Sequence, residues 1–280
     1  MAMVVTDLDG TLLGAEARLG KANRRALVRL GEAGSLRVVA TGRSLHSAEQ
    51  VLDAEFPIDY LVFASGAGIL EWRSRALLVA HEMQCEHVRG TLEVLLAKGL
   101  AFMVHLGIPD NHHFYYHQPP GQRDGQTVAG NPDFERRRAR HAEFAQPLDG
   151  RVLDGLQVSQ FLAIEAPGSE SHYDALVTEL AHLNVVLTTS PLDHRSRWIE
   201  IFPPAASKSR AAEWIRERHG VAHHDVVAVG NDYNDRDLLD WAQHSYVVSN
   251  APASLKTRYA VVASNDDQGF AEAVADSEIL

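Results

Sequence analysis

The sequence predicts an α/β fold: a mostly parallel sheet flanked by helices on both faces, interrupted by a second unit of α+β character. Three observations predict it. Short apolar, β-branched runs alternate with amphipathic stretches in the first and last thirds of the 280-residue chain. Several of those runs end in polar turns containing glycine, the position at which open α/β sheets collect their ligands. The middle third breaks the alternation, with a long stretch rich in Pro, Gly, His and Tyr between Gly107 and Pro132.

Taken in order, Met3 to Thr6 reads as a strand, and Lys21 to Ala33 carries helical periodicity with Gly34 as its stop. Leu36 to Ala40 is a second strand and Ser44 to Ala54 a helix that Ser44 can cap. Tyr60 to Ala64 is a third strand. After the middle third, Ser207 to His219 reads as helix, Asp225 to Val229 as strand, Asp235 to Ala242 as helix, Tyr246 to Val248 as strand and Gln268 to Ala275 as helix. Within the middle third, Glu86 to Ala97 and Tyr173 to His182 have helical patterns, while Phe102 to His105 and Ser159 to Ala166 read as strands. The expected organisation is a core of residues 1–81 and 187–280 with an inserted domain at 82–186.

Composition narrows the function. The formal net charge of −11 excludes a phosphate-backbone partner, which needs a basic stripe, so no nucleic acid is expected. It does not exclude a small phosphate ester, whose site needs only a few local cations. The single cysteine, Cys85, cannot form an internal disulfide. No apolar run approaches the ~18 residues of a membrane span, and the N-terminus lacks the basic start of a signal peptide, so a cytoplasmic protein is expected. None of these features reads out an oligomeric state.

Four motifs carry chemistry. Asp7-Leu8-Asp9-Gly10-Thr11 closes the first strand. Residues two apart on extended backbone point the same way, so Asp7 and Asp9 can converge, and a hard divalent cation is the natural partner for two carboxylates. The competing reading is an Asp-Gly hairpin turn, which the absence of an alternating strand afterwards weakens. Thr41-Gly42-Arg43 closes the second strand and offers a hydroxyl, an amide and a guanidinium to an anion, or else an ordinary turn with a solvated Arg. Lys208 stands at a helix start, where the macrodipole disfavours a cation; a bound phosphate explains it, as does simple surface exposure. Gly230-Asn231-Asp232-Tyr233-Asn234-Asp235 crowds oxygens into a strand-to-helix turn that suits magnesium, or caps the following helix.

In this order and at these places the four motifs resemble those of the haloacid dehalogenase superfamily, and the insert resembles the α/β cap of its Cof-like, type IIB branch. Phe63-Ala64-Ser65-Gly66-Ala67 is similar to a turn of that branch that usually has Asn where Ser65 stands. Ser249-Asn250-Ala251 and Asn265-Asp266-Asp267-Gln268-Gly269 are similar to two later stretches. The resemblance implies a Rossmann-like core and a Mg2+-dependent phosphatase acting on a small phosphorylated metabolite, such as a sugar phosphate, through an aspartyl-phosphate. Asp7 is then the nucleophile and Asp9 the acid and base. Gly10, Thr41, Gly42, Arg43, Lys208 and Asn234 are implied as phosphate-binding, with Asn234 orienting Lys208 or touching phosphate. Asp7, Asp9 through its backbone carbonyl, Asn231 and Asp235 are implied as metal residues. The branch usually has Asp where Asn231 stands; Asn231 is expected as ligand with Asp235 behind it, Asp232 being the alternative.

In the insert, His112, His113, Tyr115, Tyr116 and His117 are candidates for recognising a hydroxyl-rich leaving group, against a surface hairpin with solvated histidines. The basic run Arg136 to Arg140 reads as a solvated helix face. Two other functions fit the motifs: a phosphomutase of the phosphomannomutase type, which needs a second phosphate site in the cap, and a non-catalytic phosphosugar-binding protein, to which only Asn231 points.

Overall fold

The computed structural model describes residues 1–119, 122–123, 126–127, 131–148, 153 and 155–279, with the backbone alone at 122–123 and 126–127. The remainder of the long middle stretch expected between Gly107 and Pro132 lies outside the described residues. The chain divides into two compact units, one formed by Met1–Ala80 with Ala206–Leu280 and the other by His81–Ala205.

The first unit opens with β1 (Met3–Thr6), α1 (Lys21–Glu32), β2 (Leu36–Ala40), α2 (Leu45–Glu49), β3 (Tyr60–Phe63), β4 (Gly68–Glu71) and β5 (Ala76–Ala80). The second unit contributes α3 (Cys85–Ala97), β6 (Phe102–Leu106), β7 (Phe114–His117), β8 (Gln122–Arg123), β9 (Gln126–Thr127), α4 (Pro132–Arg140), β10 (Ala145–Pro147), β11 (Val158–Glu165), α5 (Tyr173–Glu179), β12 (Asn184–Thr189) and β13 (Arg197–Phe202). The chain then returns with α6 (Lys208–His219), β14 (Val226–Gly230), α7 (Arg236–Trp241), β15 (His244–Val248), α8 (Ala253–Lys256), β16 (Ala260–Val262) and α9 (Gly269–Asp276).

The eight strands of the first unit run in the order β16-β15-β14-β1-β2-β3-β4-β5. Pairing is parallel from β16 to β3 and antiparallel from β3 to β5. The direction of winding reverses at β1, which lies between β14 and β2, so the carboxyl ends of these three strands form the switch point. Strand alternation sends Met3, Val5, Val38, Ala40, Val226 and Ala228 to one face, where Ala211, Ala212 and Ile215 of α6 and Leu238 and Leu239 of α7 cover them. α1 and α9 pack together and against the sheet strands β2 and β14 to β16.

The second unit holds a six-stranded sheet in the order β10-β7-β6-β11-β13-β12. One face carries Phe102, Val104, Phe161, Ala163, Ile199 and Ile201 against Val88 and Leu95 of α3 and Leu176 of α5. Met103, Leu162, Ile164 and Trp198 of the sheet pack instead with Phe134 of α4. Asp133 is fully buried there and accepts bonds from Trp198 Nε1 at 2.7 Å and Ser190 Oγ at 3.0 Å. A buried carboxylate so partnered pins α4 to the sheet.

Three differences from the sequence reading have physical reasons. The second boundary falls at 205 rather than 186, because β13 pairs antiparallel with both β11 and β12 and so draws both strands into the inserted unit. The β4–β5 hairpin at the sheet edge escaped notice: its strands are short, and β5 is only partly buried, so neither shows a clear apolar period. The helix expected over Ser44 to Ala54 ends at Glu49, although Ser44 does cap it, its Oγ accepting from the Ser47 amide.

Candidate active site

Two motif residues at the carboxyl end of the first unit's sheet, Asp7 and Thr41, are each held by a neighbouring strand. The Asp7 amide donates to Val229 O at 2.9 Å, and the Thr41 amide to Val62 O at 2.8 Å. β14 ends at Gly230, where an added Cβ would sit 2.6 Å from the Asp235 side chain. Asp7, Thr41 and the turn after Gly230 therefore meet at the switch point.

Lys208 occupies the centre. It is the first residue of α6, whose N-cap Ser207 accepts from the Arg210 amide. Its ammonium donates to Asp7 Oδ1 at 2.6 Å and Asp235 Oδ1 at 2.5 Å, and all three residues are buried. The surface-lysine alternative is thereby excluded. Burial would lower the Lys208 ammonium, but the charges of Asp235 and Asp7 outweigh it and hold the group above its ordinary value. Burial and the nearby Asp235 push the Asp7 carboxyl up to about 7, against the lowering pull of Lys208. The trio carries two acids for one base.

Asp235 is more committed than the sequence suggested. Its Oδ2 accepts from the backbone amides of Asn231 at 2.8 Å and Asp232 at 3.1 Å, while Oδ1 is taken by Lys208. With both oxygens engaged, Asp235 orders the turn. Asp232 Oδ1 accepts from the Tyr233 amide, a capping role. The Asn231 carboxamide lies against Gly10, 2.6 Å from where a Cβ would sit, and the Gly10 φ of +70° favours glycine there. Among the described residues, none donates to Asp7 Oδ2. An open carboxylate oxygen on Asp7 and a carboxamide oxygen on Asn231 are hard donors of the type a divalent cation takes. No cluster of three or more His, Cys, Asp or Glu side chains able to hold a metal occurs among the described residues.

Ser65 and Asn234 come together beside Gly42. An added Cβ there would lie 3.5 Å from Ser65 Oγ and 3.9 Å from Asn234 Nδ2. Ser65 Oγ and Thr11 Oγ1 are buried and bonded to no described residue. Such groups carry a desolvation penalty that an incoming anion relieves. Asn234 thus lies beside Gly42; the hydrogen bonds of Lys208 go to Asp7 and Asp235 instead. Ser65 was visible in the sequence only as part of a turn. Its backbone lies in the left-handed region, at φ +51°. Asn250 was likewise passed over as a site residue: its Nδ2 donates to Gly10 O at 2.9 Å, and its Oδ1 accepts from the Asn265 amide.

The Arg43 guanidinium meets Asp9. Its Nε and Nη2 donate to Asp9 Oδ2 and Oδ1 at 2.6 and 2.7 Å, and Nη1 donates to Ser47 O and Oγ. Burial works against the charge, yet the bonds and charge of Asp9 raise Arg43 above its ordinary value.

In the inserted unit the candidate residues do not form one cluster. Tyr115 and His117 turn toward the face that carries α3 and α5, with His117 5.1 Å from the Phe102 ring. Tyr116 turns the other way, beneath Arg138. The rings of His112 and His113 lie 4.3 Å apart, tilted by 47°, and each meets Phe144 edge-on. Strand alternation in β7 sets Tyr116 apart from Tyr115 and His117, while His112 and His113 precede the strand. The basic run is not simply solvated either: Arg137 lies 4.6 Å over Trp198, and Arg138 pairs with Glu135.

A family profile described as haloacid dehalogenase-like hydrolase matches residues 4–274. The chain belongs to that family. This hydrolase is an enzyme of the phosphoric monoester class. Similar to it is the 5-amino-6-(5-phospho-D-ribitylamino)uracil phosphatase of Bacillus subtilis, 27% identical over 285 residues, which span 97% of this chain and 96% of that one. The fold of the hydrolase matches that of a phosphatase from Bacteroides thetaiotaomicron, BT1666, with a TM-score of 0.79 and 18% identity over 100% of this chain and 96% of that one. It also matches the subclass IIB sugar phosphatase BT4131, with a TM-score of 0.75 and 17% identity over the whole of both chains.

Proposed function

We propose that the protein is a magnesium-dependent phosphatase that hydrolyses a small phosphomonoester, of the sugar-phosphate kind, through an aspartyl-phosphate. The observation that carries this reading is the buried Asp7–Lys208–Asp235 trio at the switch point, with Asp9 two residues from Asp7. A carboxylate held against an ammonium, with its second oxygen open, is a nucleophile already oriented. Asp7 attacks phosphorus in line, the ester P–O bond breaks, and Asp9 gives its proton to the departing oxygen. Asp9 then takes a proton from the water that cleaves the aspartyl-phosphate. Lys208, Thr41, the Gly42 amide, Ser65 and Asn234 hold the phosphoryl oxygens as charge spreads over them. Magnesium, when held by Asp7, the Asp9 carbonyl and Asn231, lessens the repulsion between an anionic nucleophile and an anionic ester.

A polyol phosphate as substrate is supported by the Bacillus subtilis relative, named for a phosphoribityl compound. A mutase needs a second phosphate site, and Arg137 and Arg138, the middle of the one basic run, are already engaged with Trp198 and with Glu135. The test is p-nitrophenyl phosphate hydrolysis with and without magnesium, beside Asp7→Asn. Magnesium-dependent release that disappears in Asp7→Asn is expected. Release that survives the substitution would refute the nucleophile, and no release from the wild type would refute the phosphatase. A panel of sugar and ribityl phosphates then ranks substrates by kcat/KM.

A further inference from the structure

We propose that Arg43 is a positioning residue for Asp9 and not a ligand of the phosphoryl group; this rests on the reading of Asp9 as the acid that protonates the leaving oxygen. The guanidinium meets the carboxylate edge to edge through two bonds, Nε to Oδ2 at 2.6 Å and Nη2 to Oδ1 at 2.7 Å. A single bond would leave the carboxylate free to turn about its own axis. Two parallel bonds fix both its place and its plane.

Arg43 is itself anchored from behind. Nη1 donates to the carbonyl of Ser47 at 3.0 Å and to its hydroxyl at 3.2 Å, in the first turn of α2. The backbone is pinned on both sides: the Arg43 amide donates to Thr41 Oγ1 at 3.1 Å, and the Ala64 amide donates to Arg43 O at 2.8 Å. The turn that presents Thr41 to the phosphate space therefore also sets the guanidinium. Asp9 is 42% exposed against 7% for the Asp7 side chain, so nothing but Arg43 restrains it through its side chain among the described residues. A proton donor that must meet one ester oxygen benefits most from such restraint, since a misplacement of about 1 Å can cost about 100-fold in rate.

The test separates leaving-group protonation from phosphate binding. As the ester P–O bond breaks and the Asp7 oxygen bonds to phosphorus, Asp9 enters as the neutral acid, gives its proton to an alkyl leaving group and is left as the carboxylate paired with Arg43, whereas p-nitrophenolate leaves without a proton. The quantity to measure is kcat/KM, which ends at formation of the aspartyl-phosphate, for p-nitrophenyl phosphate and for glycerol phosphate. Wild type, Arg43→Ala, Arg43→Gln and Arg43→Lys are compared, together with the inhibition constant of inorganic phosphate. In Arg43→Ala and Arg43→Gln, the alkyl ester should lose about 100-fold more than the aryl ester. Inhibition by inorganic phosphate should hold within about twofold, and millimolar guanidinium should restore part of the alkyl rate to Arg43→Ala; these bounds follow from a role in orientation alone. Arg43→Lys should recover only part, because an ammonium cannot make the two parallel bonds. Equal losses on both esters, with weakened phosphate inhibition, would overturn the proposal and return Arg43 to the phosphate. A wild type inactive on both esters would instead overturn the phosphatase reading itself. Should Arg43→Ala melt early, the Gln variant, which keeps part of the aliphatic stem and a polar end, keeps the comparison.

Discussion

Asp7 is asked to be an anion in a place that resists one. Its carboxyl is pushed up to about 7 from an ordinary 3.8, chiefly by burial and then by Asp235. Between about pH 4 and 7 the folded chain therefore keeps a proton there that the unfolded chain has released, so this group's contribution to stability falls as pH rises through that window. Asp7→Asn removes the penalty while keeping the shape. In chelator, the melting temperature of the wild type should fall relative to Asp7→Asn from pH 4 to 7, and the gap should stay level above about pH 8. Magnesium should raise the wild type and leave Asp7→Asn nearly unmoved. Parallel curves for the two proteins would mean that ionisation of Asp7 is not resisted. Asp7, Thr41 and Lys208 were legible because each ends a strand or starts a helix, a position that sequence periodicity marks. Ser65 and Asn250 were not, because their signal is a missing or a distant hydrogen-bond partner. Arg43 was legible as a chemical group but not in its aim, since only the fold brings Asp9 to it.

At the scale of elements, the site depends on how closely two turns approach. Gly66, at φ +100°, lies so near the start of α6 that an added Cβ would meet Ser207 O at 2.2 Å. That contact is with backbone, and the next residue is Lys208. Gly66→Ala should cost about 2–4 kcal/mol, from strain and overpacking together, and should lower kcat by displacing the lysine. Gly90, inside α3, has nothing within 4 Å of its Cβ position. Gly90→Ala should raise stability by about 0.5–1 kcal/mol. Thermal melts of the two variants check both signs; a neutral Gly66→Ala would show that the turn and α6 can separate freely. The beginning of α6 and its Ser207 cap could be read from local pattern, but the approach of the 63–67 turn could not. No local rule links segments so far apart in the chain.

For the whole molecule, the alternation of strands and helices made the first unit readable, and the end of the insert was the place where that reading failed. Asn184–Thr189 and Arg197–Phe202 are apolar strands followed by a helix, the same pattern as the flanking core, so periodicity alone could not assign them. Pairing does assign them. Phe161 of β11 lies opposite Ile201, and Ala163 opposite Ile199, while Trp198 donates to the buried Asp133. The apolar clusters of the inserted unit draw only on residues between 81 and 205. A fragment of residues 81–205 should therefore melt cooperatively on its own, with dispersed amide resonances. A fragment ending at 186 loses Ile199, Ile201 and Trp198, opens the edge of β11 and leaves the Asp133 carboxylate without its indole partner. It should fail to fold, because an unpaired buried charge and two stripped apolar clusters together exceed the few kcal/mol that hold a domain of this size. Cooperative melting of the shorter fragment would show that β12 and β13 are accessory to the insert, and would move its boundary back toward 186.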